Sequence, residues 1–352
     1  MRFEASLLAA QREQWLGYRV PSLVVTFAAL GSLFLAFQLF VLASWVLGPH
    51  FVPTDPGPDP ISESKLRLFA IMQIVVPLAA AAMSWKLLFG PWFRTGRITT
   101  DGRILFSAAM VFFWDMSLNY SSIALFYNAH LVNFGAWANG AWPGWYSPSG
   151  HRLPEPIVFI MPAYLALVFS QALIVCWLLR MAKARWPSMG LGATLLAIVV
   201  GLTIIDSIVE ITVLRTGFYA YPGSIGSLTL WAGQTYQFPL TEGFLFGGLG
   251  VGSCAVIWYF RDDKGRTFVE RGIDALRYSD FTKSWLQTLA VYGFIHTAFF
   301  VLYFIPCQFV TLNADSFPQG YPSYMTNGMC VYGVHQDQCP GPGVMMPRPP
   351  FE

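Results

Sequence analysis

Seven long apolar stretches constrain this chain more than any other feature it has. They lie near residues 21–48, 68–90, 104–127, 157–181, 189–214, 241–260 and 286–312. Each supplies the roughly 20 apolar residues that a helix needs to cross a bilayer. Backbone in hydrocarbon must satisfy its own hydrogen bonds, so stretches of this kind fold as helices. The expected fold is all-α: a polytopic integral membrane helical bundle of about seven transmembrane helices. Only 11% of the residues are charged, against 55% hydrophobic, which excludes an ordinary soluble domain.

Orientation follows from the basic residues, which are retained on the cytoplasmic side of a membrane. With the N-terminus inside, the inner segments hold 16 of the 21 Lys and Arg residues, and only Lys65, Arg67, Arg152, Arg215 and Arg348 fall outside. The reading is N-inside and C-outside, as a multi-pass protein of the cell membrane. Residues 1–20 carry charge throughout and read as an interfacial helix, not a cleavable signal. Residues 21–312 form the membrane domain, and residues 313–352 a Pro/Gly-rich outer tail. In that tail Cys330 and Cys339 could pair in an oxidising compartment or remain free thiols. The inner connection RDDKGRTFVERGIDALRYSDFTK reads as a short surface helix of mixed charge. Two outer connections, 128–156 and 215–240, are long and rich in Trp and Tyr, as lids and binding loops are.

Several function classes fall away. A net charge of +2 without a long basic run argues against nucleic acid. The five cysteines show neither a CxxC pair nor a zinc-holding Cys/His spacing. The five histidines lack the spacings of a di-iron site, and only His296 lies deep in a span, which leaves no axial pair for a haem. The last stretch has no lysine for a retinal Schiff base, and there is no phosphate loop or nucleophile elbow. No metal and no cofactor is expected. Acid/base chemistry, passage of a solute or a structural role remain.

The few carboxyl groups inside the spans carry the sharpest signal, because a charge there is costly unless it is paired, protonated or facing a polar cavity. Asp115 lies mid-way along the third stretch, with Asn119 and Ser122 following at helical spacing. Thr203, Asp206 and Glu210 share a face of the fifth, Glu242 opens the sixth, and His296 sits in the seventh. A carboxyl group removed from water resists ionisation and can serve as a general acid. Asp206, Glu210 and Asp115 are therefore the candidate catalytic residues. Asn119, Tyr127, Asn128, His130, Trp145, Tyr219, Trp231, Tyr236, Glu242 and His296 are candidates for substrate binding. The plainer alternatives are carboxyl groups that tie helices together, a buried hydrogen-bonding histidine, and an interfacial belt of aromatics.

The run WDMSLNYSSIALFYNAHLVNFGAWANGAWPGW, then PEP, RMAKARWP, DSIVEITVLRTGFYAYPG, LTLWAGQTYQFPLTE and FRDDKGRTFVERGID, together resemble the AveC-type spirocyclase family. The resemblance runs from about Trp114 to Cys339 and lies in the order of several motifs. It implies an integral membrane protein similar to the cyclase of avermectin biosynthesis, which closes a dihydroxy-ketone polyketide into a spiroketal; dehydration chemistry is also attributed to the family. The expected function is thus a cofactor-independent cyclase or dehydratase acting on a lipophilic small molecule amid membrane lipids. In that reading Asp206 and Glu210 are the acid/base pair, Asp115 with Asn119 orients a substrate oxygen, and the aromatic loops form a lid. The alternatives are a membrane terpene cyclase, and a non-catalytic carrier of lipids or small solutes or a subunit of a larger complex. Pro77, Pro162 and Pro306 are candidate kinks for the carrier.

Overall fold

A computed structural model describes residues 23–137, 140–145, 153–315, 317–318 and 320–327. The interfacial helix expected over 1–20 and the Cys330–Cys339 pair lie outside the described residues. Among the described residues, six helices are long and apolar enough to cross a membrane: α1 (Leu23–Val46), α2 (Glu63–Thr95), α5 (Pro162–Arg185), α6 (Leu191–Thr216), α7 (Leu240–Tyr259) and α8 (Asp280–Leu312). Side-chain caps start several helices. Ser62 accepts from the Lys65 amide (3.4 Å) at α2, and Ser279 from the Thr282 amide (3.2 Å) at α8. Large apolar side chains such as Leu33, Leu78, Leu196, Ile208 and Phe309 stand exposed around the bundle, as a lipid-facing belt requires.

The third apolar stretch is not a long helix. It folds as α3 (Thr100–Ala109), α4 (Phe112–Met116) and a tight turn over Ser117–Tyr120. Residues 107–119 are all buried, so this segment is enclosed by protein instead of facing lipid. Irregular backbone is tolerated at membrane depth on that condition. The helical spacing from Asp115 to Ser122 is lost with the break. Asn119 holds the turn that follows, accepting from the Ala124 and Leu125 amides (2.8 and 2.9 Å) and donating to the Leu125 carbonyl (3.0 Å).

The connections fall into two groups, one at each end of the bundle. At the basic end Asp101 accepts from Arg261 (3.1 Å) and Trp258 (2.8 Å), Arg97 pairs with Asp280 (2.6 Å), and the Val24 amide reaches the Arg271 carbonyl (3.3 Å). At the other end the Thr54 amide donates to Asn133 (2.9 Å), Asn128 donates to the Gly217 carbonyl (3.0 Å), and the Ala129 amide donates to the Tyr324 carbonyl (2.8 Å). The broken segment therefore still runs from one end to the other. The expected surface helix over 261–283 is absent; tight turns at Phe268–Glu270 and Ile273–Ala275 replace it. They send Glu270 inward, where it pairs with buried Arg103 and accepts from Gln287 (2.8 Å).

At the far end, β1 (Phe126–Tyr127) pairs with β2 (Tyr219–Ala220), and β3 (Thr229–Leu230) with β4 (Phe238–Pro239), both antiparallel. A short helix, α9 (Ser323–Thr326), packs beside β1, so this part of the expected tail is built into the fold. Glycines set the closest helix contacts. A Cβ at Gly31 of α1 would stand 2.0 Å from the Leu289 carbonyl oxygen of α8, and one at Gly247 of α7 would stand 2.4 Å from Cβ of Asp206 on α6.

Candidate functional site

The half of the bundle remote from the basic end encloses a cavity lined by Asp115, Asp206 and Glu210 together with Tyr127, Tyr164, Tyr219, Tyr221 and Gln171, closed by apolar residues including Phe159, Leu167, Val213 and Phe246. It leaves about 30 Å³ for the centres of water-sized molecules. That is room for one or two waters. No Lys, Arg or His lines it, and none of the ion pairs among the described residues involves its carboxyl groups. Negative charge here is compensated by hydroxyl groups.

Each carboxyl group has its own partners. Asp115, on α4, accepts from Tyr164 of α5, from Tyr303 of α8 and, at 3.4 Å, from Tyr127 of β1. Glu210, on α6, accepts at one oxygen from Tyr219 (2.6 Å) and Tyr221 (2.8 Å). Both tyrosines are placed by the turn after Gly217, whose φ of 84° ends α6 and folds the chain back over it. Glu242 stands behind the wall, and Tyr303 touches it at 2.7 Å while also touching Asp115. A tyrosine hydroxyl donates only one proton. Its one proton is shared between the two carboxyl groups, and a proton on either Asp115 or Glu242 would complete both contacts.

Asp206 is different. It is fully buried beside the Gln171 side-chain amide; neither carboxyl oxygen makes a hydrogen bond of good geometry among the described residues, and Oε1 of Gln171, on the same cavity, is unpartnered. Buried polar groups are normally satisfied, so unpartnered ones facing a cavity mark where a polar ligand group would fit. The Asp206 carboxyl group keeps acceptor positions open to the cavity.

The structure thus brings Asp115, Asp206, Glu210, Tyr127 and Tyr219 to one cavity, with Glu242 behind it, two hydrogen bonds from Asp115 through Tyr303. It does not bring the others. Asn119 and Asn128 hold backbone turns, which removes Asn119 from the orienting role beside Asp115. His130 stacks on Tyr324, with ring centres 5.2 Å apart. Trp145 packs on Tyr120 and Trp142. Trp231 and Tyr236 enclose the Arg215 guanidinium at 4.4 and 3.9 Å and leave the cavity uncovered, so the lid expected of them is a cation clasp. His296 is fully buried elsewhere. Its Nδ1 accepts from the Trp114 indole (2.8 Å), a donor only, so the ring proton sits on Nε2 and points to the Ser107 carbonyl (3.2 Å). Histidine is here a neutral packing group.

Tyr164, Tyr303 and Tyr221 are the tyrosines around these carboxyl groups that are absent from the sequence reading of the site. Tyr303 had a faint signal, lying two helical turns beyond His296 on α8. A second, larger space of about 520 Å³ lies between α1, α6, α7 and α8, but no titratable side chain lines it.

A bundle of membrane-length helices around an enclosed cavity of carboxyl and tyrosine groups defines a multi-pass membrane protein with an internal acidic site. The family profile described as Spirocyclase AveC-like matches residues 95–326, and the chain belongs to this AveC-like spirocyclase family. The matched span contains every residue that lines the cavity and excludes α1. No curated protein and no solved structure matches the chain.

Proposed function

We propose that the protein is a cyclase or dehydratase of the cell membrane that closes a lipophilic hydroxy-ketone by proton transfer between carboxyl groups. The observation that carries this reading is the cavity itself: three carboxyl groups in its wall, a fourth behind it, tyrosine hydroxyls around them, and no cation. Such a cluster keeps protons in the membrane interior and can both give and take them.

Spiroketal closure of a dihydroxy-ketone loses one water. One substrate hydroxyl adds to the carbonyl to form a hemiketal; protonation of the hemiketal hydroxyl releases water and leaves an oxocarbenium ion; the second hydroxyl attacks and gives up its proton. Protons are the only species the groups here must move. In this reading Asp206, whose carboxyl group faces the cavity, protonates the departing hydroxyl. Glu210, held by two tyrosine donors, suits the carboxylate that faces the positive intermediate and accepts the proton of the incoming hydroxyl. Asp115, Tyr303 and Glu242 form a hydrogen-bonded line that can restore the proton to the cavity. Enclosure holds the flexible chain folded and excludes competing water.

The carrier reading has less support. Pro162 starts α5 at a position where its missing N–H costs nothing, so it makes no kink. No cavity-lining residue lies deeper than Gln171 on α5 or Asp206 on α6, so the cavity offers no continuous path to the basic end.

The test is turnover of a dihydroxy-ketone by purified protein in lipid vesicles. Asp206→Asn and Glu210→Gln are each expected to lower cyclisation about 10²–10⁴-fold. Wild-type rates in both variants would rule the pair out.

A further inference from the structure

A cavity with room for one or two waters must open before any hydroxy-ketone can reach it, and the surroundings of the cavity differ in how they could open. Toward the basic end the lining reaches no deeper than Gln171 on α5 and Asp206 on α6, and Asp206 packs directly on Gly247. Toward the opposite end the β1–β2 ribbon crosses the cavity, with Tyr127 and Tyr219 paired and both buried. All but four of the lining residues are buried. The exceptions are Leu167 on α5 and Val209, Glu210 and Val213 on α6, with Leu167 37% exposed.

These four lie together along one seam. Deeper in the bundle α5 and α6 are in ordinary contact, with a Cβ at Gly201 meeting the Val175 side chain at 3.6 Å. In the outer half the cavity lies between them. The seam faces sideways from the bundle, within about 10 Å of the outer ends of both helices at 1.5 Å per residue. Its side chains are apolar except for Glu210, whose carboxyl group is turned to Tyr219 and Tyr221.

We propose that the α5–α6 seam is a lateral gate, through which a neutral molecule dissolved in the bilayer leaflet remote from the basic end reaches the carboxyl groups. The gate narrows the substrate class. Anions are repelled by a cavity without cations, and cations pay desolvation at an apolar seam. An uncharged, largely aliphatic molecule with a few hydroxyl or carbonyl groups passes. The proposal takes the cavity as the working site, but its test needs no turnover.

A carbodiimide adds across its N=C=N bond to a protonated carboxyl group, forming an O-acylisourea that rearranges to a stable N-acylurea, so the protein gains the whole reagent mass and nothing leaves. The full-length protein in phosphatidylcholine vesicles is treated with lipophilic dicyclohexylcarbodiimide or with a water-soluble cationic carbodiimide, at about pH 5 to about pH 8, and modified residues are located by mass spectrometry. The lipophilic reagent should modify Glu210 or Asp206 at least about tenfold faster than the water-soluble one. Leu167→Trp with Val213→Trp should slow that modification by a similar factor, and Leu167→Ala should accelerate it. In Val213→Cys, with Cys330 and Cys339 changed to Ser, the fluorescence of a thiol-attached label should be quenched by brominated acyl chains, which checks the lipid-facing position without chemistry at a carboxyl group. Equal or faster modification by the water-soluble reagent, no modification of either residue by the lipophilic one, or rates unchanged in the tryptophan variants would overturn the gate. A protein that passes this test and still fails to cyclise a dihydroxy-ketone would retain the gate and lose the proposed reaction.

Discussion

Tyr303 holds a single hydroxyl proton between two carboxyl groups, and that scarcity gives it a measurable consequence. Tyr303→Phe breaks the line from Glu242 to Asp115 and is expected to lower turnover about 10–10²-fold and to alter the pH–rate profile. The steady-state assay that measures Asp206→Asn will show it. His296 makes the opposite case. His296→Phe leaves the Trp114 indole N–H and the Gln38 side-chain NH2 unpaired in the core, so it should cost about 1–3 kcal/mol in unfolding experiments while turnover per folded molecule stays near wild type. The carboxyl groups were legible in the sequence because charge within an apolar stretch is rare, and Asp115, Asp206 and Glu210 share a cavity. Of the tyrosines, Tyr127 and Tyr219 were among the candidates, but nothing local distinguishes Tyr164 among the 15 in the chain, and Tyr303 has only its spacing from His296. His296 misled for the same reason the acids informed: a lone polar residue in a span signals a polar partner, and its partner was an indole.

At the scale of elements, close glycine contacts make specific claims. Gly31 and Gly293 let α1 and α8 touch backbone to backbone, and a Cβ on Gly293 would stand 2.0 Å from the Phe27 carbonyl oxygen. Gly293→Ala should destabilise the bundle by about 1–3 kcal/mol, read from unfolding in detergent. The outer loop carries a pH-dependent element. Glu155 is buried, its side chain accepts from the Trp137 amide (3.0 Å), and burial holds its carboxyl group well above the usual range. A raised value in the fold means that the folded loop binds the proton more tightly than the unfolded chain does. Its stabilising contribution is full below the ordinary glutamate value of about 4.3 and is lost as pH rises through the folded value. Thermal unfolding should therefore show stability falling as pH rises, and Glu155→Gln should flatten that slope. Hydropathy located the six long helices because lipid selects for uninterrupted apolar length. It could not separate them from the third stretch, since a segment buried on all sides by protein is as apolar as one facing lipid. The 261–283 connection escaped for a related reason: Glu270 reads as a surface charge until Arg103 is known to meet it.

For the whole molecule, the two sets of connections place the basic residues of 96–103, 180–185 and 261–283 at one end and the carboxyl cavity in the opposite half. Retention of basic segments predicts that this end faces the cytoplasm. In a background with Cys330 and Cys339 changed to Ser, Gln234→Cys should react with a membrane-impermeant maleimide on intact cells and Lys264→Cys only after lysis; the reverse would invert the topology. A cavity in the half of the bundle remote from the basic end, reached from lipid as proposed above, would suit chemistry on molecules that never leave the bilayer. The measurement that tests this most directly is the rate and stereochemistry of spiroketal formation from a lipophilic dihydroxy-ketone in vesicles, with wild-type protein and with Asp206→Asn compared in parallel. Wild-type protein is predicted to give one stereoisomer well above the uncatalysed rate, and the variant to give the uncatalysed mixture at the background rate. A variant that remains as fast and as selective as wild type, or a wild-type protein that does neither, would contradict the account.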